Sequence, residues 1–184
     1  MKVLIISSNR NHLPVPVMPL GACIVAEGAK KAGHDVTLLD LMFEKNPLYA
    51  VEAAVRKKSP DVIGLSIRNI DNNDMQRPSF FIDEVSSVIG LIRATTSAPV
   101  VLGGSAVSVM PEEIMRFTGS SVAVLGDGET VFPELLKFFP SDGGRREIQG
   151  TAWIEDDTFF SYCCNISYAS DCSRVPDLSS WIGV

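Results

Sequence analysis

The sequence has few of the groups that usually carry chemistry. Two histidines and four cysteines are spread over 184 residues. Cys23, Cys163, Cys164 and Cys172 form no CxxC or CxxxCxxC spacing, so neither a zinc site nor an iron–sulfur loop is encoded here. Adjacent Cys163 and Cys164 would point to opposite faces of a strand and read as incidental thiols of a reducing compartment. A basic surplus is missing too: the net charge is −6 and the pI about 4.9, which argues against a nucleic-acid surface. No run of about 20 apolar residues is present, which excludes a membrane-spanning helix. The apolar start Met1–Ile6 is too short for a signal peptide and leads into polar residues, so it reads as a first strand of a cytoplasmic protein.

What is present is a globular composition, 46% apolar and 21% charged. Short apolar runs recur at Val3–Ile6, Val36–Leu41, Val62–Leu65, Pro99–Leu102 and Val122–Leu125. Continuous rather than alternating runs suit parallel strands covered on both faces. Helical patterns separate them. One runs from Pro19 to Lys31 with Gly33 as its cap, and a second is opened by Asn46 and Pro47 and closed by Arg56, Lys57 and Lys58. A third spans about Ser79–Ala94, with an apolar stripe at helical spacing. A fourth starts at Pro111, and a fifth covers about Glu129–Phe139 with Pro133 expected in the first turn. The pattern predicts a three-layer α/β fold, a doubly wound, flavodoxin-like sheet of about five parallel strands, over residues 1–140. Residues 141–184 read as a linker at Ser141–Arg146, a β-hairpin around Glu155-Asp156-Asp157, and a tail from Asn165 that completes no element.

In such a sheet a ligand binds beyond the carboxyl ends of the strands. The loop after the third strand offers Ser66, Arg68 and Asn69; after the fourth come Gly103, Gly104 and Ser105; after the fifth, Gly126, Asp127, Gly128 and Glu129. The glycines allow either a tight turn or close approach of backbone to a ligand. Ser66 is a turn hydroxyl or a ligand contact, and Arg68, Asn69, Asp71 and Asn72 equally suit a self-bonding loop. His12 is the one histidine near this edge. The loop after the first strand has no G-x-G-x-x-G, and no G-K-[ST] occurs, which excludes the usual dinucleotide and P-loop sites. The acids of a phospho-receiver and the phosphate loop of a flavodoxin are missing as well. No catalytic residue and no protein metal ligand is evident.

Taken in order, Pro19-Leu20-Gly21, Ala32-Gly33-His34-Asp35-Val36, Asp61–Ser66, Arg68–Asn72, Val100–Gly104 and Gly126–Glu129 resemble the N-terminal cobalamin-binding domain of B12-dependent radical SAM proteins. The resemblance covers about residues 1–140. The hairpin and Arg174–Leu178 resemble that family's connection to its radical SAM domain, absent from this chain. It implies that cobalamin's nucleotide tail sits beside the sheet, with Ser66 bonding it and Gly103, Gly104, Gly126 and Gly128 making room. It implies a covalently linked radical SAM domain that would hold an iron–sulfur cluster and S-adenosylmethionine, in a methyltransferase or related enzyme. Many cobalamin domains carry D-x-H-x-x-G after the first strand, its histidine binding cobalt. Here Arg10–Val15 lacks the Asp and the Gly, so the resemblance implies that His12 does not ligate cobalt. A ligand-free scaffold of the same fold, or a nucleotide-sugar domain of a transferase, would share these elements.

Overall fold

The structure is a computed structural model that describes residues 1–72, 74–139 and 148–162. The expected linker at Ser141–Arg146, Cys163, Cys164, Cys172, the tail from Asn165 and the Arg174–Leu178 stretch lie outside the described residues. The chain order is β1 (Lys2–Ser7), α1 (Leu20–Lys31), β2 (Asp35–Asp40), α2 (Pro47–Lys58), β3 (Val62–Ser66), α3 (Ile82–Thr95) and β4 (Val100–Gly103). It continues through α4 (Ser105–Val109), α5 (Pro111–Thr118), β5 (Val122–Val124), α6 (Gly128–Leu136), β6 (Thr151–Glu155) and β7 (Thr158–Tyr162).

One sheet holds the seven strands of the described residues, in the order β2-β1-β3-β4-β5-β6-β7. The first five are parallel, in the flavodoxin-like arrangement expected. The expected hairpin forms and pairs antiparallel with β5, so it lengthens the same sheet. Its two-residue turn places Asp156 and Asp157 at φ 47° and 60°, the conformation that matches strand twist in tight hairpins. Arg116 on α5 holds this turn, donating to the Asp157 carboxylate at 2.7 Å and its carbonyl at 3.0 Å.

Residue parity along the strands divides the core. Leu4, Ile6, Ile63, Leu65 and Leu102 pack under α2, α3, α4 and α5. Val3, Ile5, Val62, Val101, Val122 and Val124 pack under α1 and α6. Helix α1 meets that face with Ala22, Ala26 and Ala29, whose short side chains let it lie close.

Three features depart from expectation. Helix α4 has no counterpart in the sequence reading, because Ser105–Val109 is only five residues and carries no amphipathic repeat. Helix α3 begins at Ile82 rather than Ser79. Phe80 bridges to Asp71, and Phe81 donates its backbone N–H to Ile70, so these residues close a loop before the helix can start. Pro133 is not in the first turn of α6 but inside the helix. It therefore has no N–H to give the Glu129 carbonyl, and that oxygen lies against α1: a Cβ built at Gly28 would stand 2.5 Å from it.

No described helix is long and apolar enough to cross a membrane. At the opposite edge from the ligand loops, His34 has a buried Nδ1 without a hydrogen-bond partner among the described residues. Burial and the nearby N-terminal amino group hold its pKa below the usual value. A base whose folded pKa is lowered takes up its proton more readily when unfolded, so stability falls as pH drops through the unfolded histidine value, about 6.5. Urea midpoints measured at pH 7.5 and 5.5 should show a loss at the lower pH, and His34→Gln should shrink that loss.

Candidate functional site

The sheet register sets out the site. On the α1/α6 face, Ile5, Gly64 and Val101 form one row across β1, β3 and β4, and Ser7, Ser66 and Gly103 form the next row toward the carboxyl edge. Between this floor and the two helices lies a cavity of about 270 Å³ that opens at the edge. Ala22 and Val25 of α1 line it from above, and Phe132 of α6 stands at its inner end over Gly64. A Cβ at Gly64 would meet Phe132 Cζ at 3.3 Å. Glycine in this buried strand thus makes room for the ring.

The helices do not collapse onto the bare floor because they already touch each other. Gly28 meets the Glu129 carbonyl, and a Cβ at Gly128 would lie 2.8 Å from Val25 Cγ2. The slot is the space left when α1 and α6 lean together over a strip of sheet with almost no side chains.

The mouth is braced by hydrogen bonds. The Ser105 hydroxyl donates to the Arg68 carbonyl at 2.9 Å, tying α4 to the loop after β3. Ser108 Oγ donates to the Gly104 carbonyl at 3.3 Å and accepts from the Gly126 N–H at 3.0 Å. The Ser66 hydroxyl, by contrast, makes no hydrogen bond among the described residues, although its carbonyl receives Ser8 N–H at 3.1 Å and Ser8 Oγ at 2.9 Å.

Of the residues expected at the site, Ser66, Gly103, Gly104, Ser105, Gly126, Gly128 and Glu129 line the slot. Arg68 and Asn69 do not; they line a separate groove of about 300 Å³ with Val109 and Met110. Asp127 caps α6 through its backbone, its carbonyl accepting from Thr130 and Val131 at 3.1 Å. The glycines also divide. Gly104, at φ 99°, is demanded by the protein itself, since a Cβ there would sit 2.5 Å from the Ile67 carbonyl oxygen. Gly128 is likewise taken up by Val25. At Gly103 the nearest atom to a Cβ is the Val124 carbonyl oxygen at 3.8 Å, so its missing side chain serves the open slot.

Sequence reasoning missed Ser108, Gly64 and Phe132. A glycine inside the run Val62–Leu65 was a legible sign of close approach; Ser108 was hidden with the short helix. His12 lies outside the slot, edge-on to Phe43 with centroids 5.9 Å apart. No three His, Cys, Asp or Glu side chains gather as a metal site among the described residues.

Comparisons with known proteins bear on what fills the slot. A family model described as B12 binding domain matches residues 7–136. Tryptophan 2-C-methyltransferase of Streptomyces laurentii is 28% identical over 130 residues, 70% of this chain and 22% of that protein. Hopanoid C-3 methylase of Methylococcus capsulatus is 29% identical over 138 residues, 72% of this chain and 24% of that one. Among solved structures, the radical S-adenosylmethionine methyltransferase TsrM of Kitasatospora setae, with cobalamin and an iron–sulfur cluster bound, matches at 27% identity and a TM-score of 0.80. That match covers 90% of this chain and 29% of the other. The chain spans about a quarter of the length of the curated relatives it matches.

The two adjacent glycines should separate in chemical denaturation. Gly104→Ala should cost about 2–3 kcal/mol, from its positive φ and the Ile67 clash. Gly103→Ala should stay within about 0.5 kcal/mol of the parent, since strand backbone accepts a methyl group where space is open.

Proposed function

Because the chain belongs to the B12-binding domain family, we propose that it is the corrinoid-holding module of a B12-dependent radical SAM enzyme of the methyltransferase type, and that the slot takes the nucleotide tail. The observation that carries this reading is the bare strip at Ser66 and Gly103, held open beneath α1 and α6 in front of the Phe132 ring that covers Gly64. A side chain at Gly103 would occupy it; none of the neighbours needs that space.

The residues present suit such a guest. A flat aromatic base would lie on Gly103, where the strand backbone is uncovered, with its edge toward the Phe132 ring over Gly64 and with Val25 and Ala22 against its other face. Ser66 would supply the free hydroxyl at the mouth for the polar linkage of the tail. Gly126 and the Ser105–Ser108 brace would keep the mouth loops apart. Glu129, also at the mouth, would face the polar part of the ligand and not its apolar base. Arg68 and Asn69 would act from their own groove, beyond the slot, toward whatever lies above the sheet edge.

Cobalamin, when bound, supplies a cobalt centre that carries a methyl group or takes part in a radical reaction, and the protein's share is placement. In this reading residues 1–140 form the binding domain, and 141–184 lead toward a radical SAM domain in the same polypeptide. The thiolates for its iron–sulfur cluster would come from that domain. His12 would stay against Phe43 and leave the cobalt alone.

Equilibration with hydroxocobalamin followed by gel filtration should leave visible corrin absorbance on the protein. Cobinamide, which has no nucleotide tail, should be retained far more weakly. Gly103→Val should abolish uptake of the complete corrinoid while its melting temperature stays near that of the parent. His12→Ala should leave the bound corrinoid's visible spectrum unchanged. Retention unaffected by Gly103→Val would contradict the assignment of the slot.

A further inference from the structure

The slot is polar at its mouth and apolar within, and that gradient bears on which tail it accepts. This inference rests on the reading just given, that the slot receives the nucleotide tail. The mouth row offers Ser66, with Ser105 and Ser108 close by on α4. One register step inward, the floor is Ile5, Gly64 and Val101. The wall is Ala22 and Val25, and the inner end is Phe132. Ile5, Ala22, Val101 and Phe132 are each no more than 3% exposed. None of the five side chains can donate or accept a hydrogen bond, and Gly64 adds none. The floor's backbone N–H and C=O groups lie in parallel ladders between β1, β3 and β4.

Corrinoids differ in the base at the end of the tail. A dimethylbenzimidazole is almost wholly apolar, and its methyl groups match a hydrocarbon wall. A purine such as adenine brings an exocyclic amine and further ring nitrogens, each hydrated in water. Against Ile5, Val101, Ala22, Val25 and Phe132 at the inner end, those groups would find no side-chain partner. Leaving one polar group unpaired in a buried site costs about tenfold or more in affinity. We infer that the chain selects the lower base of its corrinoid, taking an apolar benzimidazole-type base and rejecting a purine, with Val101, Val25 and Phe132 as the residues that set the preference.

The test compares two complete corrinoids that differ only in this base, cobalamin and its adenine counterpart, titrated against the 184-residue chain and followed by corrin absorbance and by protection against thermal unfolding. The benzimidazole form should bind at least about tenfold more tightly. Val101→Thr, which adds one hydroxyl to the inner row at nearly constant volume, should narrow that ratio by about threefold to tenfold. Circular dichroism melts establish that this variant is folded. Equal affinity of the two corrinoids for the parent chain would overturn the inference and leave corrinoid binding standing. An unchanged ratio in folded Val101→Thr would overturn it too, because the base would not then lie against Val101. Binding of neither corrinoid would contradict the functional reading itself.

Discussion

Where two helices that pack on the sheet also rest on each other above a strip poor in side chains, they leave a gap beneath their contact. That contact, Gly28 against the Glu129 carbonyl and Gly128 against Val25, is the constraint on which the site depends. Pro133 contributes to it by withholding the N–H that would have bonded Glu129 within α6. Below, β3 and β4 present Gly64, Ser66 and Gly103 where other positions on this face carry Val or Ile. Apolar interiors close on gaps when they can. This one stays open because the helices are propped and the floor has nothing to fill it.

The rim is fixed by a second set of contacts. Gly104 accepts a conformation few residues adopt so that its chain can pass within reach of Ile67, whose N–H bonds Gly103 and whose carbonyl accepts from Ala106. Ser105 and Ser108 then stitch α4 to the loops after β3 and β5. The carboxyl edge is thus preorganised, and a ligand entering it need not order the loops at its own expense. Membership of the B12-binding family and the TsrM likeness fit a site of this kind: braced at the mouth and apolar within.

Much of this was legible in the residues. The branched runs disclosed five parallel strands, because only strands covered on both faces are apolar throughout. The Asp156-Asp157 turn disclosed the hairpin. The carboxyl edge followed from strand order, and seven of the ten expected site residues line the slot there. The rest depended on distances that no local pattern encodes. Whether Gly104 makes room for a ligand or for Ile67 is decided by where the loop after β3 passes. Arg68 and Asn69, expected at the slot, line the other groove, with the Arg68 carbonyl held by Ser105. Helix α4 is too short to show a period, and nothing around Phe132 in the sequence marks it as the end of a slot.

The central claim concerns where an aromatic base lies, and a crystal structure of the chain with cobalamin tests it directly. The account predicts electron density for the tail between the Ser66–Gly103 floor and Val25, with the Phe132 ring over Gly64 at its inner end and the Gly28–Glu129 contact intact. Density for the whole corrinoid outside the sheet, with Val25 or Phe132 folded down into the slot, would contradict it.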